Sequence, residues 1–360
     1  MKTKLVYVLT CAPEATYIEQ ALMAVFSAHH WNPGAHIVLM VANKTDALFS
    51  GKRAEILDYI SEKIVVPFED DSLTPMYRSR YIKTQVRQLI KGDFLFVDCD
   101  TICQRPLNDI DTFDCEIGAV LESHLLVSQY NNSLYRPAKE VTSVLGVNID
   151  EEQYYFSSGV LFIKDTKKTH ELYDLWHQYW LEGIEKGMKI DQPALAKANR
   201  EMGHVIQQIP DTYNCILFTR PLFVQDAYIL HIASLLNPSF LFTSRVFQYI
   251  KQTGLSDEWI RYYILHPCQT MLPFDYNLKK SSLQMKWQWI NELSTFFKYY
   301  GQYIDRFYLD FEMNSKLRLL VVFLMTHKCY KTAMTLWTMW RITHIRHKGI
   351  IVMPNIMQRQ

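Results

Sequence analysis

Two acidic residues that directly follow four apolar residues form the strongest chemical signal in the sequence. Phe94–Val97 reads FLFV, and Asp98, Cys99 and Asp100 come next. On an extended chain the residues at positions i and i+2 point to the same side, so both carboxylates face one way and Cys99 the other. Two hard oxygen ligands suit Mg²⁺ or Mn²⁺ and leave coordination positions for a diphosphate. The alternative is a pair of solvated acids in the turn that ends a strand.

The elements that would position these acids alternate between strand and helix. Apolar, β-branched runs predict buried parallel strands, and apolar residues at helical spacing predict helices between them. The strands are expected at 5–9, 37–41, 64–68 and 94–97, and the helices at 18–29, 53–63 and 78–90. This alternation is typical of a doubly wound α/β domain, in which ligands bind at the carboxyl ends of the strands. The acids after residue 97 fall at such an end.

The pattern continues less regularly and then changes. Further strands are expected at 118–121, 159–163 and 227–232, and helices at 169–186 and 191–198. Beyond residue 237 only helical patterns remain, at 257–265, 283–299 and 316–345. We therefore expect an α/β domain over residues 1–240 and a helical, basic C-terminal region over residues 241–360.

The charge of the chain is unevenly distributed. Of the 38 Lys and Arg residues, eight lie between Met313 and Gln360, a stretch without Asp or Glu. The other 30 stand against 37 acidic residues, which makes the rest of the chain net negative by seven. A basic segment that also contains Trp337 and Trp340 fits an anionic membrane surface, and no nucleic-acid-binding signature accompanies it. A helical appendage that packs on the core is the alternative for residues 313–360.

The cysteine content and the hydropathy of the sequence indicate in which cellular compartment the protein lies. The seven Cys fit no disulfide framework, and a hydrophobic content of 49% with 21% charged residues excludes wholesale disorder. There is no apolar run of ~18 residues, as a membrane-spanning helix needs, and the first strand is expected too near the start for a signal peptide. We expect a cytoplasmic protein, peripheral on the inner face of the cell membrane.

Four short segments, in order, resemble glycosyltransferase family 8 and its bacterial capsule and lipopolysaccharide relatives. They are residues 80–102 (RYIKTQVRQLIKGDFLFVDCDTI), residues 156–162 (FSSGVLF), the pair Asp191-Gln192, and Ile229–His231. The resemblance implies a GT-A fold, which is Rossmann-like with a mostly parallel sheet and flanking helices. It also implies a UDP-sugar as donor, Mn²⁺ or Mg²⁺ as cofactor, and a glycan or lipid-linked acceptor for the transferred hexose.

The resemblance makes His231 the third metal ligand, beside Asp98 and Asp100. An imidazole nitrogen is accepted better by Mn²⁺ than by Mg²⁺. Asp98 is assigned to the bound donor as well as to the metal. From the residues alone, a histidine at the end of a strand is as readily explained as part of the core.

The same resemblance assigns five residues to the donor. Arg80 and Lys83 share a helix face and would neutralise its phosphates, the alternative being a solvated basic face. Thr10 ends the first strand, where the family binds the nucleotide base, and Tyr17 in the loop that follows would stack on the base. Ser157 stands where the family has Asn and would bond a sugar hydroxyl.

Asp191 and Gln192 have both an ordinary and a catalytic interpretation. Asp before Gln192-Pro193 is a normal helix start, with Asp at the N-cap and Pro just inside the helix. The resemblance instead places Asp191 on sugar hydroxyls and Gln192 beside the anomeric carbon. An amide is a weak nucleophile, so a front-face displacement that retains the anomeric configuration is the preferred mechanism.

Two departures from the family keep other functions open. Besides Ser157, the sequence after His231 reads IASLLNP and lacks the family's Gly and Lys-Pro-Trp, so the lysine that touches the diphosphate is missing. A non-catalytic protein that binds nucleotide sugars is one alternative. A metal-dependent nucleotidyltransferase is another, although residues 10–17 contain no Gly for a phosphate-binding loop.

Overall fold

The computed structural model describes residues 1–130, 132–216, 226–232 and 244–266. The strands in these residues are β1 Lys4–Leu9, β2 Ile37–Ala42, β3 Glu62–Val66, β4 Phe94–Val97, β5 Thr101–Cys103, β6 Ile117–Leu121, β7 Phe156–Ile163, β8 Gln207–Gln208, β9 Cys215–Ile216 and β10 Ile229–His231. The α-helices are α1 Tyr17–Trp31, α2 Asn43–Asp46, α3 Pro75–Lys83, α4 Val86–Leu89, α5 Asn132–Ser143, α6 Lys167–Glu185, α7 Gln192–Glu201, α8 Ser244–Thr253 and α9 Glu258–Leu265. Short 3₁₀ helices, of which Gly51–Tyr59 is the longest, lie in several connections between these elements.

The described strands form one large, mostly parallel sheet in the order β3-β2-β1-β4-β7-β6-β8. β1 to β4 are mutually parallel, whereas β7 runs antiparallel to both of its neighbours, β4 and β6. Parallel neighbours require crossover connections, and the helices that provide them cover the faces of the sheet. The predicted α/β class, with a mostly parallel sheet and flanking helices, is confirmed.

Alternate residues of the strands pack into two apolar cores, one on each face of the sheet. On β1, Leu5 and Tyr7 belong to the core under α1, α8 and α9, and Val6 and Val8 to the core under α3, α6 and α7. This explains why β2 and β4 are buried along their whole length. A strand enclosed on both faces has no polar positions, which gives the continuous apolar runs seen in the sequence.

A smaller sheet brings the late strand to the acidic motif. β10 lies between β5, to which it is antiparallel, and β9, to which it is parallel. In this register His231 pairs with Thr101, the residue after Asp100. The backbone N–H of Ile232 donates to the Asp100 carbonyl over 2.8 Å and extends the pairing by one bond. The pairing thereby brings the histidine side chain next to the two acids.

Two predicted helices differ from the structure. Instead of one helix over 78–90 there are two, because Thr84 and Gln85 end α3. The Thr84 hydroxyl lies 2.9 Å from the Arg80 carbonyl and 2.8 Å from His177 Nδ1, a side-chain bond that competes with the helical ladder. The prediction of a helix over 53–63 is also wrong, since residues 51–59 form a 3₁₀ helix and 62–66 the edge strand beside β2.

The C-terminal predictions can be compared only in part. α9 agrees with the helix predicted at 257–265, whereas α8 lies in a segment for which no helix was predicted. The basic segment 313–360 and the helices predicted at 283–299 and 316–345 lie outside the described residues. Among the residues that the structure describes, no helix has the length and apolarity needed to cross a membrane.

Candidate metal and donor site

Elements from four parts of the chain meet at one edge of the large sheet. β1 and β4 end here, directly before Thr10 and Asp98, and the antiparallel β7 begins here with Phe156. β10 brings His231 to the same edge. The Asp98 backbone N–H donates to the Gly159 carbonyl over 2.8 Å, which links the two strands directly below the acids. This edge is where open α/β sheets bind their ligands.

Asp98, Asp100 and His231 form a cluster of potential metal ligands. One ligand atom from each residue can be chosen so that all three lie within 4.8 Å of one another. His231 Nε2 lies 3.1 Å from Asp100 Oδ1, and the side chains of both are mostly buried. Two carboxylate oxygens and one imidazole nitrogen form a donor set that Mn²⁺ accepts.

Gly159 makes room for this cluster. A Cβ on residue 159 would lie 2.4 Å from His231 Cε1 and 3.2 Å from Asp98 Oδ2. The ring therefore packs directly on the backbone of β7, where any side chain larger than hydrogen would displace it. The absence of a side chain at residue 159 thus allows the His231 ring to lie beside Asp98.

Burial and neighbouring charges shift the pKa values of all three residues of the cluster. Burial raises the pKa of Asp98 above its usual range, and the Lys83 ammonium only partly opposes the rise. Burial would also raise the pKa of Asp100, but the adjacent His231 holds it below its usual range. Burial would lower the pKa of His231, but the charge and hydrogen bond of Asp100 raise it. A bound metal ion would replace the imidazolium proton as the positive partner of Asp100.

A second charged cluster adjoins the first through Lys83. The Lys83 ammonium lies 3.2 Å from Asp98 Oδ1, 3.2 Å from Ser158 Oγ and 3.3 Å from Asp191 Oδ2. Arg80 Nε lies 3.3 Å from Asp191 Oδ1. The structure thus brings the predicted Arg80, Lys83 and Asp191 together, with Lys83 buried between two carboxylates and Arg80 more exposed beside them.

Asp191 is at the N-cap position of α7, yet its carboxylate does not cap the helix. The side chain accepts no hydrogen bond from the first turn and instead faces the two cations. Burial would raise the pKa of Asp191, but Lys83 and Arg80 hold it below its usual range. The buried Trp176 fixes the start of α7 by donating from Nε1 to the Asp191 carbonyl over 2.9 Å. The capping interpretation of this residue therefore has no support in the geometry.

Gln192 has a partner that the sequence did not indicate. Its Nε2 donates to Glu122 Oε2 over 3.1 Å, from the first turn of α7 to the residue after β6. The bond directs the amide nitrogen of Gln192 towards the carboxylate of Glu122. The amide oxygen, Oε1, takes no part in this bond. Glu122 belongs to no motif and to no periodic pattern identified in the sequence. Because it lies 70 positions from Gln192, the sequence offers no reason to pair the two residues.

Thr10 and Tyr17 are the two residues assigned from the sequence to the nucleotide base of the donor. The Thr10 hydroxyl donates to the Pro75 carbonyl over 2.5 Å, which joins the end of β1 to the start of α3. Tyr17 is the first residue of α1 and is partly buried. Burial raises the pKa of Tyr17, with Arg80 and Asp100 close enough to contribute opposing charges. Both residues therefore border the site, and their contact with a base stays a prediction.

Ser157 belongs to a buried hydrogen-bonded chain that reaches His231. Asn214, which sequence reasoning missed, donates from Nδ2 to Ser157 Oγ over 3.2 Å. Its Oδ1 lies 3.0 Å from His231 Nδ1. Asn214 is fully buried and Ser157 is 4% exposed. The predicted contact of Ser157 with a sugar hydroxyl stays a prediction.

Comparison with known proteins gives matches among solved structures alone. No protein family model matches the chain, and none of the curated proteins does. Mouse xyloside xylosyltransferase 1 in its apo form matches with 16% identity and a TM-score of 0.43, over 65% of this chain and 98% of that one. Galactosyltransferase LgtC, in complex with donor and acceptor sugar analogs, matches with 16% identity and a TM-score of 0.46, over 72% and 99%. The glycosyltransferase GlyE of Streptococcus pneumoniae TIGR4 matches with 18% identity and a TM-score of 0.44, over 78% and 68%.

These three structures are glycosyltransferases, the class of enzyme that the sequence motifs also resemble.

Proposed function

We propose that this protein is a metal-dependent glycosyltransferase that transfers a hexose from a UDP-sugar to a glycan or lipid-linked acceptor. The observation that carries the proposal is the adjacency of two clusters at the carboxyl edge of the sheet. One contains Asp98, Asp100 and His231, whose ligand atoms lie within 4.8 Å of one another. The other contains Arg80, Lys83 and Asp191, joined to the first by the contact between Lys83 and Asp98.

The charges of the two clusters suit a diphosphate ligand once a metal ion is bound. With His231 neutral, the three carboxylates of Asp98, Asp100 and Asp191 face the two cations Arg80 and Lys83. The net charge of these five groups is negative, and a bound divalent ion makes it positive. The loaded site therefore attracts an anion. When bound, Mn²⁺ or Mg²⁺ supplies Lewis-acid stabilisation of the leaving diphosphate. The guanidinium of Arg80, with about a third of its side chain exposed, is the protein cation best placed to contact phosphate oxygens.

The residues beside the charged clusters have the chemistry to orient a sugar. Asp191 is held ionised by Lys83 and Arg80, so it can accept hydrogen bonds from sugar hydroxyls. Gln192 has its Nε2 engaged by Glu122, which leaves Oε1 to face the anomeric carbon. An amide oxygen in that position would stabilise positive charge at the reacting carbon, and front-face attack would retain the configuration.

The protein surface that meets the acceptor is proposed to include the basic segment. Residues 313–360 carry eight basic and no acidic residues, and each base near an anionic bilayer is worth ~1 kcal/mol. Docking at the inner face of the cell membrane would concentrate the enzyme where a lipid-linked acceptor lies. Co-sedimentation should show full-length protein pelleting with anionic vesicles but not with neutral ones. Equal pelleting by a chain that ends at Glu312 would contradict a membrane role for the segment.

The direct test of donor and metal is ligand-dependent thermal stabilisation of the full-length protein. A panel of UDP-hexoses, together with the matching GDP-sugars and UTP, is added with and without Mn²⁺. The proposal expects at least one UDP-hexose to raise Tm in the presence of Mn²⁺ and to lose that effect in excess chelator. A nucleotidyltransferase would instead respond to UTP more strongly than to any UDP-sugar. No response to any UDP-sugar would overturn the proposal.

A further inference from the structure

The ring orientation of His231 depends on a buried amide that no sequence pattern indicates. Asn214 follows the 3₁₀ turn Asp211–Tyr213 and precedes β9, which pairs with β10 so that His231 lies beside Ile216. Asn214 has no solvent exposure. Its carboxamide bonds two side chains of the candidate site, Ser157 and His231.

The two hydrogen bonds of Asn214 determine which way its amide faces. Ser157 Oγ lies 3.2 Å from Asn214 Nδ2 and 3.4 Å from the Gly159 backbone N–H. In the structure this oxygen accepts from both, one lone pair facing the backbone N–H of Gly159 and the other facing Nδ2 of Asn214. The amide oxygen is then directed to His231 Nδ1, at 3.0 Å.

An acceptor at Nδ1 selects one tautomer of the imidazole. A carbonyl oxygen can bond Nδ1 only when that nitrogen carries hydrogen. In the neutral ring Nε2 is then the nitrogen with the free lone pair, and Nε2 is the atom that faces Asp100, at 3.1 Å. Metal-binding histidines ordinarily use such a partner on their other nitrogen to fix the tautomer and the ring orientation.

We infer that Asn214 is a positioning residue that holds the His231 ring with Nε2 presented to the metal ion, and that Ser157 in turn holds Asn214. The inference rests on the proposed function, in which Asp98, Asp100 and His231 bind a divalent cation. It gives Ser157 a role at the metal cluster that does not require contact with the sugar. The packing of the ring on Gly159 limits its position, and the amide limits its rotation.

Two variants separate hydrogen bonding from packing. Asn214→Leu keeps the approximate size but removes the acceptor, while Asn214→Asp keeps an oxygen that accepts from Nδ1–H. Asn32→Leu is the matched control, because Asn32 is also buried and bonds the backbone of Ala28 and Leu107 away from the cluster. Mn²⁺ affinity is measured on full-length, nucleotide-free protein by electron paramagnetic resonance, with Tm in chelator as the measure of folding.

The inference expects Asn214→Leu to weaken Mn²⁺ binding by about 10-fold to 100-fold, the range for lost partners of metal ligands. Asn214→Asp should bind Mn²⁺ at least as well as the wild type, and Asn32→Leu should lower Tm without changing the affinity. Folded Asn214→Leu with wild-type affinity would overturn the inference, as would an equal loss in Asn214→Asp. If the wild type itself binds no Mn²⁺, the proposed metal site fails as well, which distinguishes the two failures.

The tautomer can also be observed in the unaltered protein, so the inference remains testable if the leucine variant does not fold. The ¹⁵N chemical shifts of histidine rings distinguish Nδ1–H from Nε2–H, and the signal of His231 is the one lost in His231→Gln. In protein loaded with diamagnetic Zn²⁺ in place of Mn²⁺, His231 is expected to carry its hydrogen on Nδ1, where the Asn214 oxygen accepts it. The Nε2–H form would contradict the inference.

Discussion

The Lys83 ammonium lies 3.3 Å from Asp191 Oδ2, and only 4% and 5% of the two side chains is exposed. Lys83 comes from the last turn of α3, and Asp191 from the N-cap of α7. The contact therefore ties two helices of the same layer together through a buried ion pair. Such a pair is strongly destabilised when one partner is removed, because the other charge stays buried.

We predict that Lys83→Met lowers the free energy of unfolding by about 3 kcal/mol, since Asp191 and Asp98 both lose a cation. Adding Asp191→Asn removes one of the uncompensated charges, so the double variant should recover ~1 kcal/mol or more. Urea unfolding at neutral pH measures all three variants. A double variant no more stable than Lys83→Met would show that the pair is not coupled.

The same pair predicts a pH dependence. Burial would raise the pKa of Asp191, but Lys83 and Arg80 hold it below its usual range. A carboxylate with a lowered folded-state pKa contributes stability above its unfolded pKa of about 3.9, and this is lost as the pH falls through the folded value. The unfolded chains of wild type and Lys83→Met titrate alike, so the difference in their free energies of unfolding depends on the two folded-state pKa values of Asp191. Removal of Lys83 leaves burial less opposed and raises this pKa in the variant. The difference should therefore shrink as the pH falls from the folded pKa of the variant to the lowered folded pKa of the wild type. A difference that is constant with pH would mean that other groups dominate.

A second prediction concerns the backbone below the metal cluster. Gly159→Ala would place a methyl group 2.4 Å from His231 Cε1, so the ring or β7 must move. We expect a loss of about 1–3 kcal/mol in stability, as for other overpacked sites, and weaker Mn²⁺ binding. The control is Gly34→Ala, since a Cβ at residue 34 meets nothing within 4 Å. Calorimetry measures the stability of both variants, and titration measures their Mn²⁺ affinity. Equal stability and equal affinity in Gly159→Ala and Gly34→Ala would refute a special role for Gly159.

A third prediction concerns Gln192 and Glu122. If Glu122 orients the amide through the 3.1 Å bond, Glu122→Ala and Gln192→Ala should both lower kcat, by about 10-fold to 100-fold, with little change in KM. The double variant should lose little more than either single variant, because the two residues act as a unit. Steady-state kinetics with a UDP-hexose gives the comparison. Fully additive losses would indicate that Glu122 acts independently of Gln192.

The residues that follow strongly patterned elements could be predicted from the sequence. Asp98 and Asp100 end a strand whose apolar run is unmistakable, and Asp191 starts a helix marked by Pro193. Both patterns reflect local physical rules: burial of a whole strand on two faces, and the tolerance of proline in the first turn of a helix. The placement of these acids at one edge then follows from the α/β architecture.

The partners of these residues could not be predicted in the same way. Asn214 lies 57 positions from Ser157, and Glu122 lies 70 positions from Gln192. Contacts of this kind depend on tertiary packing and leave no periodic signal. The antiparallel direction of β7 was equally hidden, since a buried strand has the same apolar run in either direction. The break between α3 and α4 depends on His177 of α6, again a contact between distant residues.

Metal-dependent sugar transfer is tested directly by measuring the release of UDP from a UDP-hexose, with and without Mn²⁺, in the wild type and in Asp100→Ala. Asp100→Ala also removes the mostly buried partner of His231, so a measurement of Tm in excess chelator first establishes that the variant is folded at the assay temperature. We predict Mn²⁺-dependent UDP release by the wild type and a loss of ~10²-fold or more in the variant, the usual effect of removing a group that stabilises leaving charge. Undiminished release by Asp100→Ala, or by the wild type in excess chelator, would contradict it.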